Sequence, residues 1–245
     1  MSIAHKFTIA TLLYGDYLEL AYRCLEPLRR LEDGADLRIG ANEVGTETGD
    51  YLDTLSRQFP RQIRSPDNLC KYPMMRRLLT AHPLAEYVMW FDDDSYITCT
   101  SLNNWLEHVD GVMGDAHMIG GIYQMPLQGN QDKWIAAQPW YTGKPVRKPH
   151  TVKFVTGGWW CIRSEVLMKH DWPDRQLLHR GGDVMLGELC RQQGYRLVNF
   201  RKDVKINADA LGRESKAKRR GFDSSPIGAT YAGEHEQALP RQTGR

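Results

Sequence analysis

The chain has 245 residues, of which 41% are hydrophobic and 25% are charged, a composition typical of a globular protein with one sizeable core. No stretch approaches the 18 or so apolar residues of a membrane helix, and segment 7–14 is too short and too often broken by threonine to be a signal peptide. The five cysteines form neither a C-x-x-C pair nor a zinc-binding spacing, which indicates free thiols and favours the cytoplasm.

The net charge of +2 conceals an uneven distribution along the chain. Residues 1–120 contain 11 Lys and Arg against 18 Asp and Glu, whereas residues 121–245 contain 21 against 12. This excess of positive charge predicts an anionic partner for the second half, the alternative being a basic surface that is simply solvated.

The first half alternates between strand-like and helix-like patterns. Strands are predicted over 6–15, 35–45, 61–66 and 86–94, and helices over 16–31, 48–59 and 71–82. Asp16 is predicted to cap the first helix. The alternation predicts an α/β fold with a mixed, mainly parallel, Rossmann-like sheet flanked by helices, in which ligands lie at the carboxyl ends of the strands.

The second half is less regular. A helix is predicted over 101–109, a strand over 116–124, a strand, glycine turn, strand and helix over 151–170, and a helix and strand over 181–200. We expect one domain over 1–206, with a nucleotide-binding half (1–98) and an acceptor half (99–206). A basic, polar tail or lid follows over 207–245.

Three aspartates, Asp92, Asp93 and Asp94, follow the apolar run "YVMWF". Because side chains two apart on a strand point the same way, Asp92 and Asp94 are predicted to face one ligand and Asp93 to face elsewhere. Adjacent carboxylates repel one another, and Mg²⁺ or Mn²⁺ would neutralise them while also holding phosphates. The pattern therefore favours a nucleotide diphosphate held through a metal, the alternative being solvated loop aspartates.

Two later segments add candidate residues. In "FVTGGWWCI", Gly157 and Gly158 allow close approach of the backbone to a ligand, and Trp159 and Trp160 offer faces for stacking. The alternative is a tight turn with two core tryptophans. In "RGGDVMLGELC", Asp183 lies near a helix N-terminus, where it is either an N-cap or a catalytic base.

The three motifs in this order resemble the GT-A glycosyltransferases, most closely the Fringe and β-1,3-galactosyltransferase-like branch, over about residues 7–200. The resemblance implies a metal-dependent hexosyltransferase that uses a nucleotide-sugar donor, usually UDP-linked, with Mn²⁺ or Mg²⁺. It implies that Asp94 ligates the metal, that Asp92 or Asp93 helps hold the metal or the ribose, and that Asp183 is the base of an inverting displacement. Gly182 replaces the first acid of the family's acidic pair, which leaves the identity of the base open.

The resemblance also implies donor-binding residues and a third metal ligand. The implied donor contacts are Thr11, Tyr14, Asn42, Glu43, Asp92, Asp93, Gly157, Gly158 and Arg77 or its neighbour Arg76. The family often supplies a late histidine to the metal, but "VKINADALG" after the last strand contains only Asn207 and Asp209 as polar substitutes. His235 in the tail is therefore the candidate third ligand.

Basic and aromatic residues in the second half predict the acceptor. The cations are Lys144, Arg147, Lys148, Lys153, Arg213, Lys216, Lys218, Arg219 and Arg220, and the aromatic residues are Trp134, Trp140, Tyr141, Trp159 and Trp160. Such surfaces neutralise a nucleic-acid backbone and stack on bases. Our hypothesis is DNA that carries a hydroxymethylated pyrimidine, as in phage DNA glycosyltransferases, held by Trp159, Trp160, Lys148, Lys153, Arg219 and Arg220.

Other functions remain open from the sequence. One is a bacterial glycosyltransferase acting on polysaccharide, peptide or a small metabolite, and another is a non-catalytic nucleotide-sugar binder. A nucleotidyltransferase is disfavoured because "LLYGDYLEL" lacks the glycine- and lysine-bearing loop after the first strand. A Golgi acceptor is disfavoured because membrane anchors and disulfides are not predicted.

Overall fold

A computed structural model describes residues 2–31, 35–127, 131–145, 151–179 and 181–206. The strands are β1 (Phe7–Tyr14), β2 (Asp36–Asn42), β3 (Arg61–Ser65), β4 (Tyr87–Asp92), β5 (Tyr96–Ile97), β6 (Met118–Pro126), β7 (Thr151–Arg163), β8 (Leu197–Asn199) and β9 (Val204–Lys205). The helices are α1 (Leu18–Leu28), α2 (Thr46–Leu55), α3 (Lys71–Thr80), α4 (Leu102–Met113), α5 (Gln131–Ala136), α6 (Ser164–Lys169) and α7 (Gly182–Gln193), preceded by a 3₁₀ turn at Ile3–Lys6.

Seven strands form one sheet in the order β3-β2-β1-β4-β7-β6-β8. The first four are parallel to one another, as are β6 and β8, whereas β7 is antiparallel to both of its neighbours. Strands β5 and β9 form a separate antiparallel pair. The arrangement is the mixed, mainly parallel sheet that the alternating sequence pattern predicts.

Helices cover both faces of the sheet, and each interface is a hydrophobic core. Residues of α1, α2 and α4 pack on one face, and residues of α3, α6 and α7 pack on the other. Adjacent tryptophans of β7 point to opposite faces, as successive strand residues must. Trp159 packs against Trp105 and Phe91 on the first face, while Trp160 stacks on Trp90 on the second.

Two local predictions differ from the structure. Gly157 and Gly158 do not form a turn, because β7 runs through them as one strand of 13 residues. Asp16 does not cap α1: its N-cap residue is Tyr17, which makes no side-chain capping bond. The predicted tail over 207–245 lies outside the described residues, and no helix among the described residues has both the length and the hydrophobicity that crossing a bilayer requires.

Candidate active site

A cleft of about 440 Å³ opens at the carboxyl ends of the parallel strands. Its lining comes from the ends of β1, β2 and β4, from the segment that enters α3, and from the segment before α7. The lining residues are Leu12, Tyr14, Asn42, Asn68, Cys70, Lys71, Asp92, Asp93 and His179. The cleft lies where open α/β sheets bind ligands, because helices cover the two faces and leave this edge accessible.

Asp92, the last residue of β4, is held by two donors. The indole N–H of Trp90 donates to Oδ1 at 2.7 Å, and the Lys71 ammonium donates to Oδ2 at 2.7 Å. The Asp92 side chain is 24% exposed, so the ion pair lies at the surface of the cleft and not in the core. Both carboxylate oxygens are therefore engaged by donors of the protein itself.

Asp93 and Asp94 do not follow the alternation predicted for a strand. The strand ends at Asp92, and a turn follows in which the Ser95 N–H donates to the Asp92 carbonyl. As a result Asp93 lines the cleft beside Asp92, whereas Asp94 does not line it and has the Ser95 hydroxyl 3.5 Å from its Oδ1; both Asp93 and Asp94 are buried. The strand alternation from which the pairing of Asp92 with Asp94 was predicted is thus wrong, because only Asp92 belongs to the strand, and a shared ligand of the two aspartates stays a prediction.

These three carboxylates are hard oxygen donors of the kind that Mg²⁺ and Mn²⁺ prefer. Among the described residues, no three His, Cys, Asp or Glu side chains are grouped closely enough to hold a metal by themselves. A magnesium or manganese ion in a nucleotide site commonly takes only one or two carboxylates and completes its shell with phosphate oxygens and water. The donor set fits a metal brought by a phosphate ligand, and His235 lies outside the described residues.

Asn42 presents an acceptor to the cleft. The side chain is 1% exposed, and its Nδ2 donates to the Cys70 carbonyl at 3.0 Å, which fixes the direction of the amide. Its Oδ1 is buried and makes no hydrogen bond within the described residues. Because leaving a buried acceptor unsatisfied is unfavourable, a ligand with an N–H or O–H donor would stabilise this position.

Cys70 completes this corner of the cleft with an unusual backbone. Its φ of 69° lies in the left-handed region, which a residue with a Cβ adopts only when its surroundings impose it. The Cys70 N–H donates to Oδ1 of Asn68 at 2.9 Å, while the Cys70 carbonyl accepts from Asn42. The strained residue is therefore held from both sides by cleft side chains.

Lys71 links the two halves of the sheet. It is the first residue of α3, and its Nζ donates to the Gly157 carbonyl of β7 at 2.7 Å as well as to Asp92. A Cβ at position 157 would lie 3.0 Å from Nζ of Lys71 and 3.8 Å from Oδ2 of Asp183. Gly157 thus leaves open a space that the ammonium and the Asp183 carboxylate share.

Asp183 lies in the first turn of α7, where it is partly buried. Burial raises the pKa of its carboxyl group above the usual range, and the nearby Lys71 ammonium opposes that shift. The Val184 N–H donates to Oδ1 at 2.9 Å, and Oδ2 points toward Gly157. A carboxylate with a raised pKa beside a cleft can accept a proton from an incoming hydroxyl group.

Tyr72 explains why a glycine precedes Asp183. The Tyr72 ring lies against Gly182, and a Cβ on Gly182 would lie 2.2 Å from Cζ of the ring. Burial raises the pKa of the Tyr72 phenol, and the charges of Asp183 and Asp92 add to the increase. The phenol therefore stays neutral and occupies the space that the side chain of an acidic residue would need.

Several predicted donor contacts lie away from the cleft. Thr11 points to the opposite face of β1, where its hydroxyl is 3.3 Å from Sγ of Cys24. Arg76 is buried and donates to the Asp171 carboxylate and the Pro173 carbonyl. Arg77 and Glu43 are partly buried, and neither lines the cleft.

Four of the predicted donor contacts do line the cleft together, namely Tyr14, Asn42, Asp92 and Asp93. Gly157 is connected to the cleft through the hydrogen bond that its carbonyl accepts from Lys71. Gly158 is buried in the same strand.

The predicted acceptor residues are only partly described. Trp159 and Trp160 are 0% and 2% exposed, so the prediction that they stack on a base is wrong.

The other predicted acceptor residues differ in their surroundings. Lys153 is exposed on β7, whereas Lys144 donates to the last carbonyls of α7, at Arg191 and Gln192. Trp140 is buried, while Trp134 and Tyr141 are partly buried. Arg147, Lys148, Asn207, Asp209 and the tail cations from Arg213 to Arg220 lie outside the described residues.

Sequence reasoning missed four residues of the site. Lys71, Tyr72, Asn68 and His179 belong to no motif, and each approaches Asp92, Asp183 or Asn42 only through the fold. A weak signal existed for Asn68, since asparagine often bonds to the backbone two residues ahead. Nothing in the local sequence distinguishes Lys71 or His179 from a surface residue.

The comparisons with known proteins bear on the fold. No protein-family model and no curated protein matches the chain. Among solved structures, the mannosyltransferase PcManGT from Pyrobaculum calidifontis, in complex with GDP-Man and Mn²⁺, is 10% identical with a TM-score of 0.57, covering 95% of this chain and 69% of that chain. S. aureus TarS 1–349 in complex with UDP-GlcNAc is 11% identical with a TM-score of 0.52, covering 93% and 64%. The protein therefore has the GT-A glycosyltransferase fold that the motif order predicts.

Proposed function

We propose that this protein is a metal-dependent glycosyltransferase that moves a sugar from a nucleotide diphosphate sugar, UDP-linked, to a hydroxyl group. The observation that carries the proposal is the convergence of the β4 aspartates, the unsatisfied Asn42 acceptor and Asp183 at one edge of the sheet. Two proteins of similar fold are described with a nucleotide-sugar donor, in one case together with Mn²⁺.

The donor fits the cleft in a definite orientation. Oδ1 of Asn42 accepts from an N–H of the base, as the N3–H of uracil would supply, and Tyr14 lies along the same wall. The diphosphate then lies toward Asp92 and Asp93, which line the cleft, and Asp94 follows them in the turn after β4. A Mn²⁺ or Mg²⁺ ion held by these aspartates would neutralise charge on the leaving diphosphate.

Asp183 acts as the general base in this mechanism. The acceptor hydroxyl loses its proton to the carboxylate as its oxygen attacks the anomeric carbon, and the bond from that carbon to the diphosphate breaks. A single displacement of this kind inverts the configuration at the anomeric carbon. The glycine at position 157 lets the Lys71 ammonium and Oδ2 of Asp183 approach β7 closely, since a Cβ there would lie 3.0 Å from Nζ.

The acceptor that we propose is DNA with a hydroxymethylated pyrimidine. Its support is the positive charge of residues 121–245 and the exposed position of Lys153. The buried tryptophans no longer contribute to this argument. A polysaccharide, a peptide or a small metabolite would give the same donor chemistry with a different acceptor, and the salt dependence of DNA binding separates these cases.

The donor assignment is tested by thermal unfolding with UDP-, GDP- and TDP-sugars, with and without Mn²⁺. A ligand at 100 times its dissociation constant adds about 2.7 kcal/mol to the free energy of unfolding. We expect a UDP-sugar with Mn²⁺ to give the largest rise in melting temperature. A flat response to all three donors would remove the proposed function.

Hydrolysis separates an enzyme from a non-catalytic binder. We expect slow, Mn²⁺-dependent hydrolysis of the UDP-sugar, lost in Asp94→Ala and retained in the control Asp115→Ala, which changes an exposed aspartate distant in sequence from the cleft residues. Donor binding without hydrolysis, and without transfer to any acceptor, would favour a nucleotide-sugar binder.

A further inference from the structure

The ammonium group of Lys71 is a fixed cation that lines the cleft. It is tied to Asp92 and to the Gly157 carbonyl, each at 2.7 Å, and its side chain is only 12% exposed. The rings of Tyr72 and Trp90 lie 5.9 Å from Nζ and confine the aliphatic part of the chain. A lysine usually has great rotational freedom, and here four neighbours remove most of it.

The two hydrogen bonds leave one ammonium hydrogen available. A lysine has three N–H donors, and within the described residues Nζ donates only to Asp92 and Gly157. Lys71 itself lines the cleft. The remaining donor is thus available to an acceptor bound beside Asp92 and Gly157.

The ammonium group of Lys71 lies close to Asp183, the proposed catalytic base. Nζ of Lys71 and Oδ2 of Asp183 both approach the same point above Gly157. Lys71 also lines the cleft beside Asp92, toward which the proposed function directs the diphosphate. Its third N–H is therefore placed to meet a phosphate oxygen.

We propose that Lys71 donates its third N–H to the diphosphate of the donor and is a catalytic residue of the site, in addition to the metal. This inference rests on the proposed function, since it requires a nucleoside diphosphate in the cleft. A preorganised cation of this kind is already in place before the reaction begins, so no further ordering is needed when negative charge develops on the phosphate.

The test compares ligands that differ only in phosphate. Dissociation constants for uridine, UMP and UDP, or the guanosine series if the wild-type protein prefers it, are measured by calorimetry in Mn²⁺ and in EDTA. Replacing a charged hydrogen bond should weaken UDP binding to Lys71→Met about ten- to hundredfold while leaving uridine binding unchanged. The loss should persist in EDTA, because it does not depend on the metal, and Lys71→Arg should retain most of the affinity.

The control is Lys169→Met, which removes an exposed lysine at the end of α6 and should bind all three ligands like the wild-type protein. If Lys71→Met weakens uridine and UDP by the same factor, or leaves UDP binding unchanged, Lys71 only holds Asp92 and β7 in place and the inference is wrong. If the wild-type protein binds no nucleoside diphosphate at all, the proposed function fails first.

A second measurement needs no substitution and therefore does not depend on the variant folding. Lysine acetylation of the wild-type protein is followed by mass spectrometry with saturating uridine or UDP in EDTA. We expect UDP, and not uridine, to slow acetylation of Lys71, with Lys169 as the internal reference. Equal rates at Lys71 with both ligands would contradict a contact with the phosphates.

Discussion

Asp183 illustrates how one residue combines a cost in stability with a chemical role. Its pKa is raised by burial, so folding favours the protonated form over the ionised form. The protein nevertheless holds the carboxylate beside Lys71 and the open space above Gly157. Such an arrangement is expected where activity requires a base whose pKa is closer to neutrality than that of an exposed aspartate.

Asp183→Asn should lower kcat for transfer about 10²–10⁴-fold, because the amide cannot accept the proton of the acceptor hydroxyl. Donor binding, measured by calorimetry, should be unchanged. A transfer rate within a few-fold of the wild-type rate would show that another group is the base, a question that the glycine at position 182 raises.

The same raised pKa sets the direction of the pH dependence. The kcat of the wild-type enzyme should fall as pH decreases through the Asp183 pKa, at a pH above the ordinary aspartate value of about 3.9. Because the folded pKa exceeds the unfolded one, ionisation of Asp183 lowers stability as pH rises through this range. Asp183→Asn should therefore be at least as stable as wild type at pH 7 by urea unfolding, and any advantage should shrink toward pH 4.

At the scale of elements, the contact between α3 and α7 organises the site. The N–H of Tyr72 donates to the Leu178 carbonyl, and its ring packs against Gly182 at the start of α7. This contact fixes the direction in which α7 begins, and with it the position of Asp183 relative to Lys71, the residue before Tyr72. The packing of the two helices therefore brings Asp183 and Lys71 together, although the two residues are distant in sequence.

Gly182→Ala should destabilise the protein by about 1–3 kcal/mol, because the new methyl group would overlap the Tyr72 ring. The matched control is Gly111→Ala in α4, where nothing lies within 4 Å of the added carbon. Since glycine is a poor helix former, the control should gain up to about 1 kcal/mol. Urea unfolding measures both, and equal changes in the two variants would contradict the proposed packing of Tyr72.

The comparison of prediction with structure shows where sequence patterns suffice. Alternation of apolar residues located β1, β2, β4 and their helices, because those periodicities depend on which face is buried. The pair Gly157–Gly158 predicts a turn but lies within β7, because glycine in a strand can mark either a bend or a close approach of another group. Lys71 was not identified because its role depends on contacts with Asp92 and Gly157, which are distant in sequence.

At the scale of the whole molecule, charge is the remaining argument for the acceptor. The negative first half supplies most of the residues that line the cleft, and the positive second half contains β7 with its exposed Lys153. A polyanion bound near β7 would bring its hydroxyl groups toward Asp183, which packs against the same strand. If the acceptor is DNA, the affinity of the protein for DNA should therefore depend on the salt concentration.

Binding of the 245-residue chain to duplex DNA should weaken steeply with salt, with log K falling by about 0.9 per contacted phosphate for each unit of log salt concentration. Replacing Arg219 and Arg220 by serine should reduce that slope by about 2. The control pair Lys169→Ser and Lys202→Ser, on the described surface, should leave it unchanged. Filter binding at graded salt gives the slopes, and a slope of zero would exclude DNA as the acceptor.

Strand β7, which is antiparallel to both of its neighbours, limits how the sheet can bend. This strand is bonded to β4 on one side and β6 on the other, and it carries the carbonyl that anchors Lys71. A hinge between the two parts of the sheet would have to break these hydrogen-bond ladders, so the sheet beneath the cleft resists bending. The carbonyl that anchors Lys71 is therefore held on a rigid support.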